Sequence, residues 1–175
     1  GLSLSLDTAL GHSFATVQRG GVFGRVNGRL THYATLGQHW YSTSRLQVGQ
    51  VFSAADVAVP YTLLFRTGGD DSVRGYGYRT LGPVRDGAVV GGPVMATGSV
   101  ELMRQFSRTS ARWRDWYGAV FVDAGNAATN WNELNPVFGY GVGVRWRSPI
   151  GPLKVDLAYG QEVKAVRLHV SVGVS

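Results

Sequence analysis

The feature that most constrains this chain is a period of two. Apolar and polar residues alternate one for one over long stretches, which suits extended strands with one greasy face and one polar face. The rhythm is clearest at the end, where Val166, Leu168, Val170, Val172 and Val174 alternate with Arg167, His169, Ser171, Gly173 and Ser175. Before it, Leu153, Val155, Leu157 and Tyr159 oppose Lys154, Asp156, Ala158 and Gly160. Before that, Phe138, Tyr140, Val142, Val144 and Trp146 oppose Gly139, Gly141, Gly143, Arg145 and Arg147. The polar side thus carries small residues and guanidinium groups, which implies an arginine-lined interior. Further upstream, Trp116, Val120 and Val122 alternate with Asp115, Tyr117, Ala119, Phe121 and Asp123, and Val100 and Leu102 with Ser99, Glu101 and Met103. Weaker alternation predicts strands near Gly21–Thr35 and Gln38–Phe52 and a first one at Leu2–Thr8. The expectation is an all-β chain of about eight strands. No stretch of period 3.6 competes, and no longer internal repeat is visible.

Short and long connections alternate, as an up-and-down transmembrane β-barrel requires. Short turns are expected at Leu36–Gly37, Ser107–Ala111 and Ser148–Pro152, and longer links at Ala9–Gly20, Ser53–Gly91 and Asn126–Pro136. Gln161–Ala165 is short on the side where parity expects length. Trp40, Tyr41, Trp113, Trp116, Trp146 and Tyr159 fall near strand ends, as interfacial girdles do. Only 16% of the 175 residues are charged and 25 are Gly, which suits strands better than helices. Every apolar stretch is interrupted too early to span a bilayer as a helix, so a membrane reading must use strands. Alternation alone leaves a soluble antiparallel barrel or sandwich open. Trp and Val on one face with Gly and Arg on the other favour lipid outside and water inside.

Other classes find little support. The net charge of +6 comes from scattered basic residues without a Lys/Arg run, which argues against nucleic acid as a partner. There is no Cys, hence no disulfide framework or thiolate metal site. His12, His32, His39 and His169 form no metal-binding pair and read as strand or surface histidines. Asp70 and Asp71 lack the further oxygen ligands of a calcium loop and read as turn formers. No nucleophile elbow, Walker loop or dinucleotide fingerprint is present. Lumenal carboxylates such as Glu101 and Asp156 could suggest a barrel hydrolase, but arginines on adjacent strands make charge balance the simpler account. No enzyme activity, cofactor or metal is expected. The chain starts at Gly1 directly in alternating sequence without a signal peptide, and it reads as a piece of something longer.

The link Ser53–Gly91 is too long for a hairpin, and its aromatic and glycine content argues for a folded loop against the barrel wall. It carries Gly68-Gly69-Asp70-Asp71-Ser72-Val73-Arg74-Gly75-Tyr76-Gly77-Tyr78. If this loop turns into the lumen, Arg74 needs a carboxylate or carbonyl partner, and Asp123 and Glu101 are the candidates.

Gly69-Asp70-Asp71-Ser72-Val73-Arg74-Gly75-Tyr76 closely resembles the sixth-loop signature of the outer-membrane assembly barrel superfamily, which includes BamA, TamA and two-partner secretion transporters. The loop motif proper is Val73, Arg74, Gly75 and Tyr76. Phe121-Val122-Asp123-Ala124-Gly125 resembles the second barrel signature, and Ser148-Pro149-Ile150-Gly151-Pro152-Leu153 looks like the turn before the penultimate strand. The glycine-rich context of the loop and the Gly91-Gly92 approach to the next strand look more like TamA than BamA. The resemblance implies a sixteen-strand barrel behind periplasmic repeat domains, of which this chain would be the last eight strands, with Ser53–Gly91 extracellular and folded toward the lumen. It also implies that Arg74 pairs with Asp123. Members usually finish on an aromatic residue, whereas this chain stops at Ser175.

The function so implied is insertion and assembly of outer-membrane proteins, or translocation of autotransporters, in the bacterial outer membrane. The last strand, with Val166, Leu168, Val170, Val172 and Val174 on one face, would be a seam that templates client strands. Implied partners are outer-membrane lipid, client β-barrels or autotransporters and, on the TamA-like reading, a periplasm-spanning protein. A passive pore or structural barrel is the second class, and a soluble ligand-binding barrel the third. Eight strands close into a barrel with little interior room, so either the loop leaves the lumen or the fragment self-associates to complete a larger barrel.

Overall fold

In the computed structural model, which describes residues 1–14, 19–54, 56–149 and 151–173, eight long strands follow one another as an antiparallel meander. They are β1 (Leu2–Ser13), β2 (Gly21–Thr35), β3 (Trp40–Ser53), β6 (Val94–Gln105), β7 (Trp116–Ala128), β8 (Val137–Ser148), β9 (Gly151–Gly160) and β10 (Ala165–Val172). Two two-residue strands, β4 (Val84–Arg85) and β5 (Ala88–Val89), form a small hairpin inside the long link. The only helical segment among the described residues is a 3-10 turn at Trp131–Glu133, and no helix there is long and apolar enough to cross a membrane. Ile150, Val174 and Ser175 lie outside the described residues.

Each long strand hydrogen-bonds to its neighbour, in the order β1-β2-β3-β6-β7-β8-β9-β10, and β1 and β10 are the two edges. The alternation of the sequence becomes the two faces of this sheet. Val100, Val120, Val122, Val142, Leu157 and Leu168 are exposed, while Ser99, Asp123, Arg145 and Asp156 are buried on the concave side. A soluble barrel would bury the apolar set and wet the polar one; here the order is reversed, as a lipid-facing wall demands. The chain is therefore an all-β transmembrane sheet with a polar interior.

Several boundaries differ from expectation. β1 continues to Ser13, where the sequence predicted an end at Thr8, because the ladder with β2 runs unbroken from Leu2↔His32 to Ser13↔Gly21. Leu10 stays in phase with Leu2, Leu4 and Leu6, so the signal was present. The expected short turn Ser107–Ala111 is in fact the longer link 106–115, packed around Phe106, Trp113 and Trp116. That end of the sheet carries an aromatic cluster in which Trp116 stacks on Trp146 at 5.5 Å and Arg104 lies over Trp40. Tyr41 does not belong to the girdle. One residue out of phase with Trp40, it turns inward and meets the buried Tyr117 edge-on at 5.9 Å.

The long link is folded. Phe65 bridges to Gly92 and Thr67 to Leu81, and the Asp86-Gly87 pair closes the β4–β5 hairpin with both residues at positive φ, as the tight hairpin turn requires. Phe65 anchors the link in an apolar cluster with Val51, Met95 and Ala127 on the inner face of the wall. From that anchor the segment 68–78 is delivered to the concave side of β6–β10.

Candidate functional site

Strand register builds the site. On antiparallel neighbours, directly paired residues face the same side, so Ser99 on β6, Asp123 on β7 and Gly139 on β8 form one inner row. A second row holds Met103, Ala119, Gly143, Asp156 and His169, running from β6 to β10. Glu101 and Arg145 flank these rows on the same face. The wall thus presents three carboxylates and one guanidinium at one level, with glycines on β8 between them.

The loop motif enters that space. Gly68 and Gly69 both take positive φ, and the Gly68 N–H donates to Ser72 Oγ (2.8 Å) while the Gly69 N–H donates to the Val73 carbonyl (3.1 Å). This tight ring projects Val73, Arg74, Gly75 and Tyr76 inward. Val73 is 0%, Tyr76 1% and Asp123 1% exposed, which makes motif and partner the most buried large side chains described. Arg74 grips Asp123 in a fork, Nε to Oδ2 at 2.7 Å and Nη2 to Oδ1 at 2.9 Å, and its own backbone N–H adds a bond to Oδ2 at 3.0 Å. Its Nη1 also reaches Glu101 (2.7 Å) and Asp156 (3.1 Å). The guanidinium carbon lies over the Phe121 ring, 3.4 Å from its centroid.

Arg145 completes the network from the wall, donating to both oxygens of Glu101 and to Asp156. Ser99 Oγ donates to Asp123 at 2.6 Å. Two guanidiniums thus bind three carboxylates, leaving one net negative charge, with nearly every lone pair engaged. A buried charge set of this kind survives only when so completely paired. Burial alone would pull the Arg74 guanidinium down; the hydrogen bonds to Asp123 and Glu101 outweigh it and hold the group above its ordinary value.

The other motif residues are explained by space. Gly75 has φ +93°, and a Cβ there would sit 2.6 Å from the Gly160 nitrogen, so no other residue fits without strain. On β8, a Cβ at Gly139 would strike the Arg74 carbonyl and one at Gly143 the Asp156 carboxylate. Gly139 therefore makes room for the loop backbone, and Gly143 for the carboxylate that the loop engages. Tyr76 donates its hydroxyl to the Phe138 carbonyl and accepts from the Glu162 N–H, tying the loop to β8 and to the β9–β10 turn. Burial pushes the Tyr76 hydroxyl up, more than the Glu162 N–H lowers it.

The structure places Arg74 against Asp123 and Glu101, the partners that sequence reasoning named. Val166, Leu168, Val170 and Val172 lie on the exposed outer face of β10, away from this cluster; Val174 lies outside the described residues. Sequence reasoning gave no role at the loop to Asp156, Arg145 or His169, although each stood on the polar phase of its strand. Beside the cluster opens a cavity of about 610 Å³, lined among others by Arg29, Arg45, Arg147 and Lys154.

A family model, the Omp85 superfamily domain, matches residues 3–175. The chain belongs to the Omp85 superfamily. Members of this superfamily are β-barrel proteins of outer membranes or of the chloroplast envelope. The chain is 32% identical over 121 residues to outer envelope protein 80 of Arabidopsis thaliana chloroplasts, a match that covers 63% of this chain and 14% of that protein. It also superimposes on the crystal structure of BamA from Haemophilus ducreyi lacking POTRA domains 1–3, with a TM-score of 0.67 at 24% identity, over 86% of this chain and 34% of that one. This Omp85 chain thus spans a small part of its relatives, and the likeness to BamA is one of fold.

Proposed function

We propose that this Omp85 chain is the seam-bearing last half of a bacterial outer-membrane barrel that inserts β-barrel proteins or translocates autotransporters. The observation that carries the reading is β10: among the described residues it pairs with β9 alone, and its other edge is an unpaired row of backbone N–H and C=O groups above an apolar, lipid-facing side. In hydrocarbon such groups must find a partner, and an incoming client strand supplies one. Templating of this kind needs no nucleotide or catalytic group, only a strand that is free at one edge and a wall that stays rigid behind it.

The Arg74 loop supplies the rigidity. It crosslinks β6, β7 and β9 from within through the charged hydrogen bonds of Arg74, and β8 through the Tyr76 hydroxyl, so that opening at β10 does not propagate around the wall. The partners on this reading are outer-membrane lipid, client β-barrels or autotransporters, and a periplasm-spanning protein in the TamA-like case. The test is reconstitution of the full-length protein in liposomes with an unfolded client barrel. Faster appearance of folded client than in empty liposomes supports assembly. Ion conductance with no effect on the client would mean a passive pore.

A further inference from the structure

We propose that His169 is a titratable latch fastening the Arg74 loop to the last strand, and that its protonation releases β10 from the loop. The Gly75 N–H donates to His169 Nε2 at 3.1 Å, joining residues 94 apart in sequence. The loop's other bonds to the wall reach β6, β7, β8, β9 and the β9–β10 turn. Among the described residues, the Gly75–His169 bond is the hydrogen bond from the loop to β10.

The chemistry of that bond is one-sided. An imidazole nitrogen that accepts a hydrogen bond carries no proton, so the ring is neutral with its proton on Nδ1. An imidazolium has no acceptor, and its Nε2–H would point at the Gly75 N–H. Protonation turns an attraction into a repulsion. Gly75 cannot yield: it sits between the anchored Arg74 and Tyr76, at a positive φ and against the backbone of Tyr159 and Gly160. The displacement falls on β10, which has one hydrogen-bonded neighbour.

The charged groups acting on the imidazole are Asp70 and Arg74 in the loop, Asp156 across on β9 and Arg167 on its own strand. Asp156 is already committed to Arg145 and Arg74, so it offers a new cation little. The Gly75 N–H bond favours the neutral ring, so protonation and the latch bond exclude each other. His169 is thus a positioning residue for the last strand. The latch stands without the assembly reading; only its consequence for client insertion rests on that reading.

The test is amide hydrogen exchange of the full-length protein in detergent at pH 7.5 and 5.5, corrected for the intrinsic pH dependence. The Gly75 amide is expected to exchange roughly fivefold faster at the lower pH, the factor that one ordinary net hydrogen bond confers. His169→Gln, whose Oε1 accepts without titrating, is expected to protect that amide equally at both pH values, and His169→Phe at neither. Amides of β6 and β7 should not change. Equal protection of the wild-type amide at both pH values, or the same pH profile in the Gln variant, overturns the latch. Should the variants not fold, the imidazole nitrogen resonances of the wild type decide: an Nδ1–H tautomer supports the latch and an Nε2–H tautomer overturns it. A pH-sensitive latch with pH-independent client insertion would uphold the latch and count against the assembly role.

Discussion

Arg74 is the residue on which the interior turns. Its five donors meet three carboxylates and a serine while its guanidinium carbon lies over Phe121, a combination that a lysine cannot reproduce. Arg74→Ala leaves Glu101 and Asp156 on Arg145 alone and Asp123 with only the Ser99 hydroxyl among side chains, and removing one member of such a buried set costs about 3–5 kcal/mol. The expected outcome is a loop that leaves the lumen, read as new proteolytic cleavage within residues 68–81 in folded protein. Arg74→Lys should fall between alanine and wild type. If both variants resist protease as wild type does, the loop is held by something else. Gly75→Ala is expected to resemble Arg74→Ala in the same assay, because its methyl group has no room beside Gly160.

At the scale of elements, the strands were legible because lipid outside and water inside leave a simple alternation. The outward positions of β7–β10 were assigned correctly for that reason. What alternation does not encode is which inward residues meet, since that depends on register across strands far apart in sequence. Arg145 and Asp156 lie on adjacent strands and could have been paired from a short β8–β9 turn. His169 could not, because its partner is a backbone N–H delivered by the loop. The β4–β5 hairpin carried a readable Asp-Gly signal inside a segment taken whole as a link. β8 illustrates both cases: the glycines are visible as a polar-phase pattern, but the room that Gly139 leaves for the loop and Gly143 for Asp156 required the structure. Gly139→Val should therefore expel the loop and expose residues 68–81 to protease while leaving the eight-strand ladder intact by circular dichroism. On the other face, Leu157→Arg puts a charge into lipid and is expected to lower refolding stability in bilayers by about 2–4 kcal/mol if the residue lies near the midplane. An unchanged stability would contradict a lipid-facing β9.

For the whole molecule, the sheet ends in two edges, β1 and β10, and its concave side is occupied by the loop and the ion network. Eight strands closed on themselves would leave an interior just filled by their own side chains. The chain by itself is therefore expected to pair its edges with a second copy, giving at least a dimer mass in detergent by light scattering. A monomer with its loop still protected from protease would show that closure around the loop is possible. On the proposed reading the same edges have different fates in a larger barrel: β1 would continue into the wall, and β10 would be the strand that opens. The central claim is that client strands pair with β10 along its backbone. The most direct measurement is a disulfide scan in the full-length protein, with single cysteines at positions 166 to 172 and along the last strand of a stalled client. The account predicts a ladder of crosslinks in which each step along β10 shifts the favoured client position by one residue. Crosslinks without that register, or none along β10 while the client still folds, would contradict it.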